Sequence, residues 1–314
     1  MSQDKSLTPQ EVADILKIAK NTVYELIKRG ELKAYRVGRK FRVDLQDVED
    51  YKYNSRDNKS SSNNLNYSVQ IEVPLSTAKY KKSDEFILCG QDVALDILCR
   101  HIEFHPSGIQ VLRSYMGSYN SLYSLYQDKV HIATAHLWDG DTDSYNIPYI
   151  KRLVPGIPTI TIHLACRNIG FYIAKGNPKN IKDWNDLDRK DISIVNREKG
   201  SGARILLDEN LRILDINSEN INGYDTEYTS HLAVASAISR NMADLGIGTE
   251  KTGLQVQGID FIPMKKERYE IVMKNTGNNI TVIKTLLEIL NSDSFKMDLQ
   301  GIGGYDIKET GKIM

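Results

Sequence analysis

The 314-residue chain has few cysteines, no long apolar run and no excess of either charge. Its only thiols are Cys89, Cys99 and Cys166, an odd and scattered set without a C-x-x-C pair. That pattern excludes a disulfide framework or cysteine metal site, and a reduced, cytoplasmic protein is expected. No apolar stretch approaches the roughly 18 to 20 residues of a spanning helix. Met1 to Lys5 leads into a polar, patterned segment that lacks the apolar centre of a secretion signal. No G-x-S-x-G elbow, H-E-x-x-H pair or Walker loop occurs, so the expectation is a binder and not an enzyme. His101 and His105 stand four apart with no third ligand nearby, and no metal or resident cofactor is expected.

What is present suggests two parts. The hydrophobic share of 40% fills a sizeable core, and the length alone suggests two domains. Residues 54–66 contain nine Asn or Ser in thirteen positions, with Leu65 the one large apolar side chain. Such a stretch buries too little to offset its ordering entropy, so it reads as a flexible linker. The expected domains are 1–53 and 67–314.

In the first part, Thr8-Pro9-Gln10-Glu11 has the marks of a helix start: a cap, a proline at the first position and a capping box. Val12, Ile15 and Leu16 share one face. After a turn at 17–20, a second helix is expected from about Asn21 to Arg29, closed by Gly30. Tyr35 to Val43 alternates around Gly38, a hairpin signal. A third helix is expected from Asp44 to about Tyr53. Lysine and arginine balance acid at 41 each overall, yet residues 17–42 hold nine bases against Glu25 and Glu31. A local excess of that kind is what phosphate attraction needs.

The series Leu7-Thr8-Pro9-Gln10-Glu11-Val12-Ala13, Asn21-Thr22-Val23-Tyr24, Gly30-Glu31-Leu32 and Tyr35-Arg36-Val37-Gly38-Arg39 resembles the excisionase-type helix-turn-helix, related to the winged domains of the mercury-resistance regulators. The resemblance implies that Asn21, Thr22 and Tyr24 face the major groove of double-stranded DNA, and Lys20 and Lys28 are further candidate DNA-binding residues. It implies a wing carrying Arg36, Arg39, Lys40 and Arg42 on phosphate or in the minor groove.

In the second part, short apolar strands alternate with helical segments, so an α/β fold with largely parallel sheets is expected. Gly117-Ser118, Gly200-Ser201-Gly202 and Thr229-Ser230 each place small or hydroxyl residues at a helix start. Free N–H groups and the positive end of the helix dipole there favour an anion. The same residues also serve as ordinary caps. Arg197 and Arg204 flank the glycine turn, either to neutralise an anion or to pair with Glu198 or Asp208. Tyr119, Tyr123 and Tyr126 recur at helical spacing and are expected to pack.

The ordered motifs Gly90-Gln91-Asp92, Gly117-Ser118, Ala135-His136-Leu137 with Tyr145-Asn146, Val195 to Arg204, Gly223-Tyr224, Thr229 to Ala235 and Gly303-Gly304-Tyr305-Asp306 resemble the periplasmic-binding-protein-like domain of cytoplasmic regulators, related to molybdate-binding proteins. Tyr119-Asn120 and Trp138-Asp139-Gly140 depart from the family pattern beside the cleft. The resemblance implies a two-lobed domain of the type II periplasmic-binding class, with lobe I at about 84–164 plus 261–314 and lobe II at about 165–260. It implies an interlobe site of Gly117, Ser118, Tyr119, His136, Arg197, Gly200, Ser201, Gly202, Arg204, Thr229, Ser230 and His231. The expected whole is a homodimeric transcriptional regulator that senses a small anion, molybdate or tungstate first. The alternative is an architectural DNA-binding protein whose large domain binds a protein or an organic acid.

Overall fold

The computed structural model describes residues 6–29, 32–38, 40–45, 47–48, 51 and 85–314. The chain divides into two compact units, Met1–Thr77 and Ala78–Met314. The expected linker, the Gly30 cap and Arg39 of the wing lie outside the described residues, as does half of the expected third helix.

The first unit pairs helix α1 (Pro9–Leu16) with α2 (Lys20–Lys28). Thr8 caps α1 and Glu11 completes a capping box, so two orphan backbone donors are satisfied at once. Lys17, in the left-handed region with φ 53°, turns the chain between the helices. Strand β1 (Ser6–Leu7), which sequence reading missed, lies antiparallel on β3 (Lys40–Asp44), and β3 pairs with β2 (Tyr35–Val37). Gly38 holds φ 63° in the turn between β2 and β3, where a side chain would be strained. Leu7, Val12, Val23, Leu26, Leu32, Val43 and Val48 fill the core.

In the second unit, beside the two-stranded pair β7 (Trp138–Asp139) and β8 (Ser144–Tyr145), one eight-stranded sheet has the order β11-β10-β12-β9-β13-β6-β4-β5. Strands β4 (Glu85–Cys89), β5 (Gln110–Ser114) and β6 (Ile132–Ala135) are parallel in one half. Strands β10 (Ile194–Arg197), β11 (Glu227–Tyr228) and β12 (Leu245–Thr249) are parallel in the other. The expectation of largely parallel strands therefore holds within each half and fails between them. The halves are joined by two 16-residue antiparallel strands, β9 (Thr159–Ala174) and β13 (Ile259–Lys274). β13 was not legible because Lys265-Lys266-Glu267-Arg268 breaks its apolar pattern.

Helices cover both faces of each half. In the first lobe, α3 (Val93–Glu103), α9 (Ile280–Asn291) and α10 (Asp293–Ile302) bury Leu95, Leu98, Leu286 and Phe295 against one face. α4 (Ser118–Tyr126) buries Leu122 and Leu125 on the other, with the short α5 (Ile147–Leu153) beside it. In the second lobe, α6 (Gly202–Ile213) covers Phe171 and Ile194, while α7 (His231–Ser239) covers Tyr172 and Val195, next to the one-turn α8 (Glu250–Gly253). No helix among the described residues is long and apolar enough to cross a membrane.

Candidate functional site

Each predicted hydroxyl turn does begin a helix. Gly117 is the N-cap of α4, Ser201 caps α6 by accepting from Arg204 N at 3.2 Å, and Ser230 caps α7 by accepting from Ala233 N at 3.1 Å. Asp92 caps α3 in the same way. α3 and α4 belong to one lobe, α6 and α7 to the other, and the sheet order turns all four N-termini to the space between.

There the cleft narrows to a cavity of about 10 Å³, the room of a single water. Seven of the twelve predicted ligand residues line it: Gly117, Ser118, His136, Arg197, Ser201, Gly202 and His231. The lobes touch at this level. Tyr119 N donates to the Gly200 carbonyl at 3.0 Å, and Asn120 Nδ2 donates to the Lys199 carbonyl at 3.3 Å. His136 lies so close under Gly202 that a Cβ there would fall 2.3 Å from the ring. Thr229, Ser230 and His231 line a wider groove of about 380 Å³ that shares Gln91 and His231 with the cavity.

Tyr119, Gly200 and Arg204 are not among the residues lining either space. Arg204 is buried and its guanidinium is taken by Asp208, Glu227 and the face of Tyr224. Of the two roles considered for it, the ion pair is the one its contacts fill. Arg197 is ion-paired too, and it also lines the cavity. Its Nε and Nη2 bind Glu198, while Nη2 also donates to Gln91 Oε1 at 2.7 Å and to the Thr229 carbonyl at 3.3 Å. The tyrosines of α4 do not pack as expected: Tyr119, Tyr123 and Tyr126 are 37%, 48% and 42% exposed. His101 and His105 pair with Asp298 and Glu288 on neighbouring helices, and among the described residues no cluster suits a metal.

Sequence reading missed the floor of the cleft. Arg167 of β9 binds Asp92 and Glu267, and Glu267 of β13 accepts from His136 Nδ1 at 3.1 Å. Tyr305 OH donates to Asp92, and the Arg167 guanidinium lies over the Tyr269 ring at 4.4 Å. Burial would raise the Glu267 carboxyl, but the charges of Arg167 and His136 outweigh it and hold it down to about 2. The ionised array thus crosses both connecting strands beneath the cavity. His231 differs: burial, then the charges of Arg197, Arg167 and His136, push its pKa well below the usual value. It is therefore neutral, and its buried Nδ1 has no hydrogen-bond partner. No carboxylate lines the narrow cavity.

In the first unit, Lys20, Asn21, Thr22, Tyr24 and Lys28 lie along one exposed side of α2. The Tyr24 ring meets Phe41 of β3 edge-on at 6.2 Å, and the Arg36 guanidinium covers that same Phe41 at 4.7 Å. This stack fixes the hairpin bases Arg36, Lys40 and Arg42 beside the basic face of α2.

Residues 6–54 match the model of a helix-turn-helix domain, and residues 99–291 match that of the PBP superfamily domain. The chain belongs to the PBP superfamily, joined to a helix-turn-helix head, the construction of a ligand-binding, DNA-binding regulator. It is 43% identical to YvgK of Bacillus subtilis, an uncharacterized protein, over all of this chain and 99% of that one. A stretch of 27 residues, 9% of this chain and 8% of the other, is 59% identical to the thiosulfate-binding protein of Escherichia coli. A Clostridium perfringens substrate-binding protein with bound phosphate has a similar fold, with TM-score 0.51 at 13% identity, covering 71% of this chain and 99% of that one.

Proposed function

We propose that this protein is a one-component transcriptional regulator of the excisionase type, whose large domain holds a fully ionised oxyanion between lobes that stand slightly further apart than in the contact described. The observation that carries the reading is the cavity lining itself. Gly117, Ser118, Ser201 and Gly202 stand at helix N-termini there, beside Arg197 and the unpartnered nitrogen of His231, and no carboxylate is among them. Such a lining supplies donors to acceptor oxygens. It offers no anionic acceptor for the proton that hydrogen phosphate keeps at neutral pH, so an anion without protons is favoured. Molybdate or tungstate is the first choice from the sequence resemblance. The thiosulfate-binding stretch supports the broader class of tetrahedral oxyanions.

The protein acts by binding and not by catalysis. It works in the cytoplasm on a double-stranded operator as a homodimer, because helix-turn-helix readers engage paired half-sites. A ligand that binds one lobe arrangement better than another shifts DNA affinity by that difference alone. The test is calorimetric titration of ligand-stripped protein with molybdate, tungstate, sulfate and phosphate. Binding of a dianion with phosphate at least tenfold weaker is expected. Binding of phosphate alone, or of none of the four, overturns the reading.

A further inference from the structure

The narrow cavity has a neighbour: Gln91 and His231 line both it and the groove of about 380 Å³ that runs between the lobes. That volume exceeds what a four-oxygen anion needs and falls in the range of pockets for small organic ligands. Its walls differ in kind from those of the cavity. Val93 and Tyr115 of the first lobe and Leu232 of the second project into it, 43%, 65% and 54% exposed. Large apolar side chains left this open around one groove mark a binding surface more than a solvated one.

The groove's charged groups are already occupied. Asp92 is bound by Arg167 and Tyr305, Asp96 pairs with Arg113 at 3.3 Å, and Lys251 Nζ donates to the carbonyls of Ile302 and Gly303. What remains on offer is apolar contact, a few hydroxyl groups and the free Nδ1 of His231 at the junction. A bare oxyanion uses none of the apolar wall.

We propose that the ligand is an oxyanion carried on a short organic group, of the organosulfonate class. This rests on the oxyanion reading above for its head group. The sulfonate head sits at the four helix N-termini, and its organic substituent passes His231 into the groove between Val93, Tyr115 and Leu232. A sulfonate is chosen over a phosphonate for the reason that disfavours hydrogen phosphate: its three oxygens carry no proton at neutral pH, and the cavity has no carboxylate to receive one.

The test is competition calorimetry of the full chain with sulfate, molybdate, ethanesulfonate and benzenesulfonate. Ethanesulfonate is expected to bind roughly tenfold tighter than sulfate, the gain for burying two methylene-sized groups. In Leu232→Asn and Val93→Ser, both on the surface of their helices, the ratio of sulfonate to sulfate affinity is expected to fall about threefold or more. A wild-type ratio below one, with sulfate or molybdate bound, overturns the organic tail and leaves the oxyanion reading intact. A raised ratio that both variants keep unchanged overturns the groove as the tail's place. Failure of all four anions to bind overturns the head group, and the tail with it.

Discussion

Gly117 and Ser201 meet backbone to backbone across the cleft: a Cβ on Gly117 would stand 2.6 Å from Ser201 Cα and 2.7 Å from its N. The neighbours on that side are main-chain atoms, so neither lobe can yield by turning a side chain. Gly117→Ala is therefore expected to hold the lobes apart while leaving each folded. Ligand affinity should drop by about tenfold or more in calorimetry, with melting little changed, since a local misplacement of one ångström is enough to disable a site. Unchanged affinity would mean that Gly117 and Ser201 stand clear of each other in the binding state. At Gly202→Ala the nearest atoms belong to the His136 ring, whose Nδ1 is held by Glu267, so a loss is expected there as well.

The hydroxyls of Ser118 and Ser201 serve different local purposes. Ser201 Oγ caps α6, whereas Ser118 Oγ accepts from His136 N at 3.2 Å. Removing a serine cap costs about 1 kcal/mol. Both Ser118→Ala and Ser201→Ala are expected to weaken anion binding, but Ser201→Ala should also lower the melting temperature through its helix. If neither changes the affinity, the anion is not held at these turns.

Arg167 and Glu267 are buried together on the two strands that join the lobes. Removing Glu267 leaves buried Arg167 with Asp92 alone and His136 without its acceptor, a loss of about 3–5 kcal/mol. Glu267→Ala should lose that much in denaturant unfolding, and the isosteric Glu267→Gln somewhat less. The pH dependence has a definite sign. The folded-state carboxyl, at about 2, lies below its unfolded value of 4.5, so its stabilisation is complete above pH 4.5 and disappears as pH falls through about 2. In the wild type, stability should decline over that window more steeply than in Glu267→Gln.

Asn146 is fully buried, and its side chain joins three segments. Its Oδ1 accepts from Leu137 N at 2.7 Å, and its Nδ2 donates to Glu270 at 2.8 Å and to the Arg268 carbonyl at 3.2 Å. An orphaned buried donor costs about 1–3 kcal/mol. Asn146→Ala should destabilise by at least that amount, because its φ of 63° also favours Asn over Ala. A melting temperature equal to wild type would remove this side chain from the frame of the cleft.

These residues mark where the sequence could and could not be read. Thr8 with Glu11, Gly38 between two alternating runs, and the serines that open α6 and α7 announce themselves because their partners lie within a few positions. The floor of the cleft does not. Arg167 finds Glu267 a hundred residues away and Asp92 seventy-five away, and each looks in sequence like an ordinary surface charge. The strand that carries Glu267 was hidden for the same reason, since charges needed inside the molecule mimic a loop. The α4 tyrosines misled in the opposite direction: helical spacing shows that side chains share a face, not that the face is covered.

The hairpin of the first unit gives the sharpest test of DNA binding, because its bases differ in what holds them. Arg36 stacks on Phe41, which in turn meets Tyr24 of α2, so its removal disturbs the positioning of the hairpin as well as charge. Lys40 is exposed at the start of β3. Lys40→Ala should therefore act through charge alone. Affinity for operator DNA should fall about equally for cognate and unrelated sequences, and the slope of log K against log salt should become shallower by about one. Asn21→Ala, outside that stack, should behave otherwise, lowering affinity for the cognate site more than for random DNA, because contacts to base edges and not to phosphate carry sequence. Fluorescence anisotropy across a salt series separates the two. A salt slope that Lys40→Ala leaves unchanged would place the hairpin off the backbone. An equal loss on both DNAs for Asn21→Ala would mean that α2 is not the reading helix.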